Sequence, residues 1–148
     1  MRTIFYTLLF LFAISAKLKA QDLKPMLNFS TAHKILNGCL EYAKNNDLNM
    51  SIAIYDSNAQ LLCFAKMDGS TIGSAKVAQW KGISASVYQF STDETSKWNV
   101  PNAPEIATVA GGILIKNKNG IIIGSIGVSG SASSTDVKCG EAGLLKIE

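Results

Sequence analysis

One histidine and a few polar side chains bound the chemistry open to this chain. His33 is the only histidine in 148 residues, so any metal ligation by imidazole passes through it. At about 100° per residue it falls at the edge of a helical apolar stripe, beside Leu40, half facing the core and half facing solvent. That boundary suits an axial ligand to the iron of a porphyrin lying on an apolar surface. A plain surface histidine is the ordinary alternative. Met67 is a second candidate ligand, with a packed core thioether as its alternative.

Ser129 and Gly130 open the loop Ser129-Gly130-Ser131-Ala132-Ser133-Ser134, which leads into a helix N-terminus where free N–H groups can hold a carboxylate. Asp136 in the first turn can satisfy that end instead. Lys81 can pair with a bound anion such as a heme propionate, or stand solvated. Structural zinc is excluded by spacing, because one histidine and the scattered Cys39, Cys63 and Cys139 give no paired ligands. Gly127-Val128-Ser129-Gly130 falls short of a nucleophile elbow, so Ser129 reads as structural. Gly124, Gly127 and Gly130 lack the spacing and the βαβ setting of a dinucleotide fingerprint.

These residues need elements to position them. Ala32, Ile35, Leu36, Cys39, Leu40 and Ala43 share one face of a helix from about Ser30, its expected N-cap, to about Asn45. Asn49–Asp56 and Gln60–Lys66 read as strands joined by Asp56-Ser57-Asn58-Ala59. A helix over Ser74–Phe90 is rich in small residues, which lets its backbone lie close to a sheet, with Trp80, Ile83 and Val87 as its apolar stripe. Ser91–Pro104 is loop-rich. Gly111–Lys116 and Ile121–Gly130 flank Asn119-Gly120, a dipeptide suited to a two-residue hairpin turn. Alternation along the last strand puts Ile121, Ile123, Ser125 and Gly127 on one face and Ile122, Gly124, Ile126 and Val128 on the other, so both need cover. The order gives an α+β domain, an antiparallel sheet built from two hairpins and covered by helices.

Residues 1–20 read as a secretory signal peptide: Arg2, the apolar run Ile4–Ile14, and small residues around Ser15, Ala16 and Ala20. Residues 21–148 then form a single domain, exported with no membrane anchor in the mature chain. Losing Arg2, Lys17 and Lys19 leaves 11 basic and 11 acidic residues and no arginine, which argues against nucleic-acid binding. The odd cysteine count leaves at least one unpaired. Buried small hydrophobes are the first reading for all three, with a disulfide, a heme ligand or an intermolecular bridge as alternatives.

Several blocks together resemble the GlcG/HbpS family, also called the DUF336 or heme-degrading-domain family. They are Ile52-Ala53-Ile54-Tyr55-Asp56, Lys66-Met67-Asp68-Gly69, Ala78-Gln79-Trp80-Lys81-Gly82, Gly111-Gly112, Gly127-Val128-Ser129-Gly130 and Asp136-Val137-Lys138-Cys139. They extend from about Met26 to Leu145. The chain departs from the family at Ala59 (usually Gly), Lys66 (usually Arg), Gly82 (usually Ala), Ile113-Leu114 (a Pro after Gly-Gly) and Val137 (often acidic). The resemblance implies a profilin-like fold, homo-oligomers, and in several members heme binding, some through a histidine in the first helix. It thus implies a secreted, periplasmic, non-catalytic heme-binding protein with His33 as axial ligand. The alternatives are an enzyme or accessory binding a small organic acid such as glycolate, through Lys81 and the Ser129 loop, and an oligomeric scaffold without a small ligand.

Overall fold

A computed structural model describes residues 24–100 and 102–147, so the expected leader lies outside the described residues. The chain runs α1 (Phe29–Asn45), β1 (Ser51–Asp56), β2 (Leu61–Lys66), α2 (Ile72–Tyr88), the single turn α3 (Thr92–Thr95), β3 (Gly112–Lys116), β4 (Ile122–Ser129) and α4 (Ser133–Leu144). Helix α1 starts earlier than expected, because the Asn28 side chain, not Ser30, accepts from the Thr31 N–H at 2.9 Å. Thr71 caps α2 in the same way through the Ser74 N–H.

The four strands form one antiparallel sheet in the order β2-β1-β4-β3. Helices α1 and α4 cover one face and α2 the other. Strand β1 is buried throughout and β4 nearly so, as strands covered on both faces require. Toward α1 and α4 the sheet presents Ile52, Ile54, Ile126 and Val128, which join Ile35, Leu36, Cys39 and Cys139 in the core. Ile123 joins the same cluster although strict alternation assigns it to the opposite face. A register shift between Ile115 and Lys116 breaks the alternation there.

Toward α2 the sheet presents Ser125, Gly127 and the ring of Tyr55, and α2 meets them with its own small residues. Ser125 Oγ donates to the Gly82 carbonyl at 2.7 Å, and a Cβ on Gly127 would lie 2.7 Å from the Gly82 Cα and clash with the Ala78 carbonyl. The face that packs is therefore Ala78, Lys81, Gly82 and Ala85. The expected core stripe lies on the other side of the helix: Trp80 and Ile83 are half-buried, and Val87 is 48% exposed. Close backbone approach outweighs side-chain size in choosing the buried face.

Both hairpins close with one device. Asp56 Oδ1 accepts from the Asn58 and Gln60 N–H groups at 2.8 and 2.9 Å. Asn117 Oδ1 accepts from those of Asn119 and Ile121 at 2.9 and 3.0 Å. In each, only the third residue after the accepting side chain takes a positive φ: Ala59 at 58° and Gly120 at 77°. Asn119 does not, which corrects the expected two-residue turn. A Cβ in this region is costly, so Ala59→Gly should raise stability by about 0.5–1 kcal/mol, measured as a higher urea midpoint at constant m. Gly120→Ala should shift the midpoint the opposite way.

Candidate functional site

Four of the expected site residues meet at the end of the sheet where β4 finishes. Lys81, on the buried face of α2, donates from Nζ to Asp136 Oδ2 at 2.7 Å and to the Val128 carbonyl at 3.1 Å. Both side chains are 2% exposed. Asp136 Oδ1 accepts from the Ser131 N–H at 3.1 Å. Burial pushes the Asp136 carboxyl up, against the pull of Lys81 and of the Ser131 and Gly130 N–H groups. Gly111, at φ 127°, lies against this pair, and a Cβ there would sit 2.7 Å from Lys81 Nζ. The Gly-Gly block and the Lys81 and Asp136 blocks thus belong to one ion-pair niche.

This corrects the reading of Lys81 as solvated or open to a ligand: the anion it holds is the chain's own Asp136. Asp136 reaches back to the loop that precedes α4, and that helix has no side-chain cap. Ser129 is buried opposite Ser51 on β1. Gly130 lies against Asn49 and Met50. Met67 Sδ accepts from the Met50 N–H at 3.3 Å and packs on the core, as a structural thioether does. Sequence reasoning gave Lys81 and Asp136 separate roles. Both lie in family blocks, but those blocks are 55 positions apart and no local signal links them.

His33 stands apart. It lies 12 residues before the end of α1, about 18 Å along the helix from the Met67 end. Met67 therefore cannot serve as a second ligand to an iron bound at His33 of the same chain. The imidazole is exposed, with its Nδ1 3.2 Å from the Asn37 amide nitrogen. It stacks on Phe29 at 5.9 Å and 27°. Phe29 is 64% and Met26 51% exposed. Beside Asn37 a hollow of about 300 Å³ is lined by Lys34, Gly38, Glu41 and Lys146. Lys146 pairs with Glu41 at 2.8 Å, which leaves Lys34 without an ion-pair partner among the described residues. Those residues hold no cluster of three or more His, Cys, Asp or Glu suited to a metal. The donor set therefore fits one axial ligand with apolar and cationic neighbours, not a multidentate metal site.

The cysteines also resolve differently from the first expectation. Cys39 of α1 and Cys139 of α4 form a disulfide with Cα atoms 4.7 Å apart, and Cys63 alone is a buried free thiol. Burial pushes that thiol up, which keeps it protonated and unreactive.

A family model described as "Haem degrading protein HbpS-like" matches residues 27–145. No curated protein matches. Among solved structures, a double mutant of Streptomyces reticuli HbpS is 24% identical with a TM-score of 0.81, over 90% of this chain and 95% of that one. Klebsiella pneumoniae ORFY, described under DUF336, is 20% identical with a TM-score of 0.78, over 89% and 97%. A structure titled as a PduOC:heme complex is 20% identical with a TM-score of 0.76, over 84% and 96%. At these identities the likenesses establish the fold.

Proposed function

This chain belongs to the HbpS-like family, and from that premise we propose that it is a secreted, non-catalytic heme-binding protein that engages heme through His33. The observation that carries the reading is the exposed imidazole of the single histidine, stacked on exposed Phe29. The family description and the PduOC:heme complex support heme as the ligand class. When bound, heme would supply a redox-active iron.

The chain's own residues have distinct tasks in this reading. Nε2 of His33 offers the lone pair, which requires the ring proton on Nδ1. Asn37 accepts that proton with its amide oxygen after a half-turn of χ2, replacing the amide nitrogen that now faces Nδ1. Phe29 contributes apolar surface, and Lys34 a cation for a carboxylate. Export to the bacterial periplasm is part of the proposal, supported by the leader pattern and by a disulfide that persists in an oxidising compartment. A homo-oligomer is also part of it, since Ile72 and Val87 leave apolar surface uncovered on α2.

Titrating residues 21–148 with hemin should give a saturable Soret shift. His33→Ala should abolish it, and Asn37→Leu should weaken binding by about 10–100-fold. No shift in the wild-type chain, or an unchanged spectrum with His33→Ala, overturns the assignment.

A further inference from the structure

A hollow of about 500 Å³ lies between the start of α1, the end of α4 and the β3–β4 hairpin. It is separate from both sites described above. Thr31 lines it from α1, and at about 100° per residue Thr31 and His33 stand about 200° apart, on opposite sides of that helix. Ile123 lines it from the start of β4. The Val128 carbonyl that holds Lys81 is about 17 Å further along the strand.

The walls and the rim differ in kind. Ile123, Leu144 and Ile147 belong to the apolar core or pack on it, and Leu114 adds an aliphatic side chain from β3. Lys116 and Lys118 form the rim and are exposed. Neither enters an ion pair among the described residues. Glu94 shares a neighbouring hollow with Lys116 without pairing with it. Asn117 Oδ1 is committed to the Asn119 and Ile121 N–H groups, so what this side chain has left to offer a ligand is its Nδ2 donor. No carboxylate among the described residues lines the hollow. Two ammonium groups, an amide NH2 and the Thr31 hydroxyl together suit an anion and repel a cation.

We propose that this hollow binds an amphipathic anion, a single aliphatic tail with an anionic head. The tail covers Leu114, Ile123, Leu144 and Ile147, and the head meets Lys116 and Lys118. Charge complementarity at the rim and apolar area in the walls select this class together. A sugar or a free amino acid would bury polar groups against walls that offer them no partner. An inorganic anion would leave the apolar area uncovered. The volume falls in the range of small-molecule sites, about 300–1,000 Å³.

Calorimetric titration of residues 21–148 with decanoate and with decyl phosphate, each below its micellar concentration, tests the site. At least one should bind saturably, about tenfold or more tighter than uncharged decanol, and acetate should not compete. The ranking of the two heads names the source, a free fatty acid or a phosphorylated lipid. Lys116→Glu and Lys118→Glu, at exposed positions, should each weaken binding by about tenfold or more with unchanged far-UV circular dichroism. His33→Ala should bind both probes as the wild type does. Absence of saturable binding by either anion overturns the proposal. Decanol that binds as tightly as the anions, or lysine variants that bind like the wild type, overturns it as well. Loss of binding in His33→Ala, or displacement of hemin by decanoate, would place the tail at His33 and overturn the separate site.

Discussion

Asp136→Asn should lower the unfolding free energy by about 3–5 kcal/mol, because it leaves the Lys81 ammonium charged and unpaired in the interior. That is a large share of the roughly 5–15 kcal/mol that holds a domain together. The geometry explains the size: Lys81 is 1% exposed, and its remaining partner is the Val128 carbonyl at 3.1 Å. Lys81→Met should cost a similar amount, since Asp136 keeps only backbone donors.

The charged pair itself is not the source of net stability, for burial pushes the Asp136 carboxyl up even with Lys81 at 2.7 Å. The double variant Lys81→Met, Asp136→Leu should therefore recover part of the loss. Recovery stays partial because the Val128 carbonyl and the Ser131 N–H lose their partners. Urea unfolding of the four proteins reads these differences directly. A cost below about 1 kcal/mol for both single variants would show that water reaches the niche and that the pair is not buried.

Removing the Cys39–Cys139 bridge is expected to cost about 2–5 kcal/mol. It closes a sequence separation of 100 residues, and a loop of that length gives about 4.7 kcal/mol in the chain-entropy treatment. The bridge ties α1 to α4, two helices that cover the same face of the sheet. Reduced wild-type protein and the Cys39→Ala, Cys139→Ala variant should unfold at closely similar urea concentrations, both well below the oxidised protein. Cys63 cannot rescue the variant, because it is then the chain's only cysteine. Equal midpoints for oxidised and reduced wild type would sink the prediction.

Much of the fold was legible along the chain. Apolar spacing placed α1, the glycine/serine loop and the Asp136 block placed α4, and the paired runs around Asp56 and around Asn119-Gly120 placed both hairpins. Even the departure at Ala59 pointed to the residue that takes a left-handed φ. The turn geometry itself was not legible, because the Asp56 and Asn117 side chains set it by accepting two backbone N–H groups each. The candidate site was legible only at His33, where a lone residue type on a helix boundary carries the argument. Met67, Ser129 and Gly130 matched family blocks, yet they sit in the packing at the far end of the sheet.

The sequence by itself determined the order of the elements other than α3, which lies in the segment read as loop, together with the two hairpins and the family, since these follow from local periodicity, turn chemistry and the spacing of short blocks. Tertiary structure alone decided that Lys81 meets Asp136 across 55 positions and that Cys39 meets Cys139 across 100. The small residues of α2 already signalled its close approach to the sheet, and tertiary structure alone decided that Val87 turns outward. Hydrophobic patterning ranks residues by how much apolar area they can bury. Which face is buried also depends on how closely two backbones can approach, and which charges pair depends on distances that no local stretch of sequence encodes.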